Sequence, residues 1–148
     1  MIRLYIQQGI LSLMLLMVIQ FNLKGQQLYL KLDLVQQTSA SIILSVSVAT
    51  SSPTKLGSGN FIFTFDSTSL NNPTLHRHVL STDYDAVTVT NHKVNKSALN
   101  VSLNTLNSGL QIPAEPFFVT IAELRFGIKS GATDLNVYWD YVGSSKST

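Results

Sequence analysis

The chain of 148 residues contains no cysteine, so neither disulfide bonds nor a thiolate metal site can support its fold. Charge is scarce as well. Asp, Glu, Lys and Arg together make 12% of the chain, about half the ~25% usual in soluble domains. A surface built on Ser, Thr and Asn instead suits an extracellular β-protein better than a cytosolic enzyme. The net charge of +2 is small and the ten Lys and Arg are scattered, which speaks against nucleic acid as a partner. Catalytic signatures are missing too: there is no G-x-S-x-G elbow and no H-E-x-x-H pair. Beyond the first residues no apolar period of 3.6 persists for three turns, and no internal repeat is evident.

What is present is 45% hydrophobic residues, enough for one packed core in a domain of ordinary size. Residues 1–25 read as a helical secretory signal, with Arg3 as the positive start, Ile10 to Ile19 as the apolar stretch and Gly25 before the cleavage point. Residues 26–142 are then expected to form the domain and 143–148 a frayed polar tail. The expected location is outside the cell or on its surface, with membrane contact only through an uncleaved signal.

The most informative stretch is Lys55 to Leu70. Phe61, Phe63 and Phe65 alternate with Asn60, Ile62, Thr64 and Asp66, the period-2 pattern of a strand with one buried face. Asp66, Ser67, Thr68 and Ser69 then offer side chains that bond their own backbone and stop the strand. The same alternation predicts strands with inward rows Leu28, Leu30, Leu32, Leu34 and Ile42, Leu44, Val46, Val48, and later Val87 with Val89 and Leu99, Val101, Leu103. Thr74 to Leu80 reads as a short edge strand, and Leu135, Val137, Trp139 and Tyr141 as the inward row of the last one. Between Phe117 and Ile128 the pattern slips once, so that Phe117, Val119 and Ile121 share a face with Leu124, Phe126 and Ile128 only through a β-bulge near Ala122 and Glu123. Eight or nine short strands with turn signals between them predict an all-β, antiparallel jelly-roll sandwich.

These residues also carry a family resemblance. FIFTFDSTSL, Phe61 to Leu70, resembles the cohesin-type signature in which an aromatic strand ends in an acid or amide, a short polar turn and a leucine. VTIAELRFGI, Val119 to Ile128, resembles the matching strand near the end of that fold. ALNVSLNTLNSGLQI, Ala98 to Ile112, is similar to its central strand, and KLGSGNF and LNVYWDY resemble a variant found in secreted and surface proteins of Gram-negative bacteria. The resemblance implies a jelly-roll sandwich of the superfamily shared by cohesins and some carbohydrate-binding modules. It implies a non-catalytic domain that binds a protein, a dockerin-like segment or another surface protein, or else a polysaccharide.

Several candidate sites follow from the residues themselves. Tyr84 lies between Asp83 and Asp85, an aromatic plane beside two acids that suits a sugar ring; Tyr29, Phe118 and Tyr138 also fall outward, whereas Trp139 falls on the core side. Ile43, Ile62 and Phe118, on outward rows, are candidates for an apolar patch that contacts a protein. His76 and His78 are spaced to face one side of a strand, yet no third ligand stands near them, and no metal or other cofactor is expected. Asp83 and Asp85 are the candidate oxygen ligands for Ca²⁺, without the spacing and glycine of an EF-hand loop. Glu115 and Glu123 are the one carboxylate pair that a glycosidase could use, and a bulged strand between them favours structural roles.

Overall fold

The computed structural model describes residues 27–80, 82–104, 109–132, 135–140 and 145–146. The expected signal segment, residues 1–25, lies outside them, as does Tyr141. The described residues contain eleven strands and no helix. Three strands are two residues long, β3 (Thr54–Lys55), β8 (Gln111–Ile112) and β11 (Ser145–Lys146). The other eight are β1 (Leu28–Gln37), β2 (Ser41–Thr50), β4 (Gly59–Phe65), β5 (Thr74–His78), β6 (Tyr84–Lys93), β7 (Lys96–Leu103), β9 (Val119–Gly127) and β10 (Val137–Trp139).

They form two layers. One sheet runs β1-β2-β9-β5, the other β10-β4-β7-β6, and every pairing is antiparallel. The chain changes layer between β2 and β4, between β4 and β5, between β5 and β6, between β7 and β9, and between β9 and β10. β3 and β8 pair with each other as a small separate ribbon. β11 pairs with Gly59 and Asn60 of β4, so part of the expected frayed tail is a strand that continues the edge begun by β10.

Alternation makes the interior. Phe61, Phe63 and Phe65 of β4 are buried against Ile42, Leu44, Val46 and Val48 of β2, Leu99 and Val101 of β7, and Ile121, Leu124 and Phe126 of β9. Phe63 meets Phe126 and Trp139 edge to face, each with ring centroids 6.0 Å apart, and Phe65 meets Phe126 at 5.5 Å. Asp66 ends β4 as expected: its carboxylate accepts from the Thr68 amide at 2.9 Å, the Thr68 hydroxyl at 2.6 Å and the Ser69 hydroxyl at 2.9 Å. Leu70 then closes over the core, 1% exposed.

The expected slip in β9 is a bulge. Val46 pairs with Ala122 and Ser47 with Thr120, which leaves Ile121 as the extra residue and lets Ile121 and Ala122 both face inward. Two residues assigned to the core row are outside it. Leu34 is 58% exposed, on an edge strand and next to a bulge at Val35. Phe117 is 72% exposed because it precedes β9, in the turn that its amide closes on the Ala114 carbonyl at 3.1 Å.

Candidate functional site

The sandwich presents two outer faces, and their chemistry differs. On the β1-β2-β9-β5 sheet the outward residues include Tyr29, Lys31 and Asp33, Ile43, Ser45 and Ser47, Thr120, Glu123 and Arg125, with Arg77 and His76 at the edge. Lys31 and Asp33 form an ion pair at 3.0 Å, Arg77 pairs with Glu123, and Arg125 donates to His76 Nδ1 at 3.2 Å. The hydrogen bond from Arg77 holds the Glu123 carboxyl below the usual carboxylate range, against the opposing effect of desolvation. This face is charged and internally paired.

The other outer face is neutral across most of its width. Cross-strand rows run Tyr138 to Thr64 to Lys96, then Ile62 to Ala98 to Thr90, then Asn60 to Asn100 to Thr88. Lys96 pairs with Asp140 at the rim, and Asn100 Nδ2 donates to Thr90 Oγ1 at 2.8 Å. At one end a shallow depression of about 360 Å³ is lined by Ser58, Asn60, Ala86, Thr88, Asn100 and Ser102, among others. Tyr138 stands 59% exposed at the opposite side of the sheet. The surface is rich in amides and hydroxyls, with half-buried Ile62 at its middle beside the buried Ala98.

Three sequence-level candidates change in this light. Tyr84 offers no ring to a ligand, for it is 8% exposed. Its hydroxyl donates to the Leu56 carbonyl at 2.7 Å and accepts from the Leu110 amide at 2.8 Å, which ties β6 to the β3 and β8 ends. Burial pushes its phenol upward, the Leu110 amide pulls it back and the Asp83 charge pushes it up again. The reason is a bulge between Tyr84 and Ala86, which puts Tyr84 on the side of Val87 and Val89. Asp85 instead accepts from Asn104 Nδ2 at 2.9 Å.

Ile43, Ile62 and Phe118 do not form one patch. Ile62 belongs to the neutral face, Ile43 belongs to the opposite sheet, where it is 5% exposed between Gln36 and Arg125, and Phe118 immediately precedes β9 of that sheet. Phe118 lies under the Lys31 ammonium, 6.0 Å from its centroid. His76 and His78 part at a bulge between Leu75 and Arg77: His76 accepts from Arg125, and His78 Nδ1 lies 3.2 Å from the Leu80 carbonyl oxygen. Among the described residues no three His, Asp or Glu side chains gather into a group able to hold a metal ion. Glu115 is exposed in the loop before β9, whereas Glu123 is buried and engaged by Arg77.

The architecture is that of a cohesin-like β-sandwich. A crystal structure of the seventh ScaB type I cohesin from Pseudobacteroides cellulosolvens superimposes with a TM-score of 0.53 over 76% of this chain and 74% of that one, at 12% sequence identity. Neither a protein-family model nor a curated protein matches the chain. The shared feature is therefore the fold.

Proposed function

We propose that this domain is an exported, non-catalytic binding module that holds another protein at or near the cell surface, using the outer face of the β10-β4-β7-β6 sheet. The observation that carries the reading is the contrast between the two faces. Centres of protein interfaces are depleted of charge, and a charged group buried there must find a new partner. The neutral face supplies Ile62, Asn60, Asn100 and Thr88 over three strands, with its Lys96–Asp140 pair at the rim. The likeness to a solved cohesin is consistent with a binding module and says nothing of the partner.

Binding of a dockerin-like segment or another surface protein would bury this sheet by shape fit, with amides and hydroxyls supplying hydrogen bonds. A second reading, tethering to polysaccharide, draws support from the same face. Tyr138 gives an exposed ring, and the depression gives uncharged donors and acceptors of the kind that match sugar hydroxyls. It replaces the Tyr84 constellation, which burial removes.

The experiment is a paired retention assay. Immobilised wild type, Thr88→Arg and Tyr138→Ala are offered to the surface proteins of the producing cells and, separately, to insoluble glucans and chitin. A protein retained by wild type and lost from Thr88→Arg supports the first reading. Glycan retention lost from Tyr138→Ala supports the second, and retention indifferent to both substitutions overturns the use of this face.

A further inference from the structure

The β1 edge is self-complementary, and we infer that two copies of this chain pair there, β1 against β1, into one continuous eight-stranded sheet. β1 is ten residues long and bonds β2 along one side; among the described residues no strand bonds its other side. A long strand edge of this kind is a template for another strand.

The charges select the occupant. A two-fold axis normal to the sheet through Leu32 sets Lys31 of one copy opposite Asp33 of the other, twice, on the outer face. The same register sets Leu34, 58% exposed in the single chain, opposite Leu30 of the second copy on the core side. Moving the axis to Lys31 would oppose two lysines, and moving it to Asp33 two aspartates. Shifts by a single residue would set a core-facing side chain against an outward one. Lys31 and Asp33 already bond each other at 3.0 Å within one chain and are about half exposed, so an exchange of partners across the axis leaves both satisfied. The bulge at Val35 lies beyond the paired stretch Leu30–Leu34.

The dimer would leave the β10-β4-β7-β6 face open on both copies, so it adds a second binding event to the first without competing for surface. Two linked copies would then grip a repeated partner more tightly than one.

Sedimentation velocity on the purified protein, from about 1 μM to about 1 mM, tests the pairing. Wild type is expected to pass from monomer to dimer. Lys31→Glu alone and Asp33→Lys alone each oppose like charges and should raise the dimer dissociation constant about tenfold or more. The two single variants mixed should restore association as a heterodimer, because each supplies the charge that the other lacks. The double swap Lys31→Glu with Asp33→Lys should restore it within one chain. A protein that stays monomeric throughout the range overturns the inference, as does self-association that ignores the charge pattern, which would belong to another surface.

Discussion

The Tyr84 hydroxyl and the Leu56 carbonyl oxygen lie 2.7 Å apart inside the sandwich, and this bond joins an edge strand to the small β3–β8 ribbon. The Leu110 amide completes the junction by donating to the same hydroxyl at 2.8 Å. Tyr84→Phe keeps the ring and strips both backbone groups of their partner. The expected cost is about 1–3 kcal/mol, read from the urea midpoint, because a buried carbonyl loses its donor. An unchanged midpoint would mean that water reaches Leu56.

The glycine beside this junction is required by space as well as by backbone angle. Gly109 has φ 74°, and a methyl group there would sit 2.3 Å from the Leu56 carbonyl oxygen. Gly131 has φ 79° with open space around it. The left-handed conformation alone costs a side chain about 1–2 kcal/mol. Gly131→Ala should therefore lose about that much and Gly109→Ala clearly more, compared in the same denaturation series.

Phe63 is the centre of the aromatic cluster, fully buried and edge-on to Phe126 and Trp139. Phe63→Ala should cost about 3–5 kcal/mol through lost burial and the cavity left behind. Trp139 is the single tryptophan, so its fluorescence spectrum reports the change directly. A shift in emission with little loss of stability would show that the cluster relaxes around the gap.

Acid stability should follow two carboxyls. The Thr68 hydroxyl, before the Thr68 amide and Ser69, lowers Asp66, and the Arg77 hydrogen bond lowers Glu123. Since both folded values lie below the unfolded ones, their stabilisation is present above about pH 4 and is lost as pH falls through the folded values. Urea midpoints taken from neutral pH down to strongly acid conditions should fall less steeply for Asp66→Asn and Glu123→Gln than for wild type.

Much of the interior was legible because alternation maps directly onto a two-layer stack. The Phe61, Phe63, Phe65 row and the β2 and β7 rows lie where the period placed them, and the slip before Leu124 marked a real bulge. At Tyr84 a second bulge reverses the parity: the odd spacing from Tyr84 to Val87 is the signal, and the two flanking acids give the stretch the look of a turn. Leu34 is exposed despite its inward parity because periodicity does not tell an edge from a centre. Membership of a common surface was the least legible property. Ile43 and Ile62 are both outward in parity, yet which sheet each joins depends on long-range pairing that local pattern does not encode.

The central claim is that the β10-β4-β7-β6 face is the one that meets a partner. Photo-cross-linking tests it most directly, with a photoreactive side chain placed at Ile62 in one variant and at Arg125, exposed on the opposite face, in another, inside the cells that make the protein. A discrete adduct is expected from position 62 and none of comparable yield from position 125. An adduct confined to position 125 would contradict the assignment.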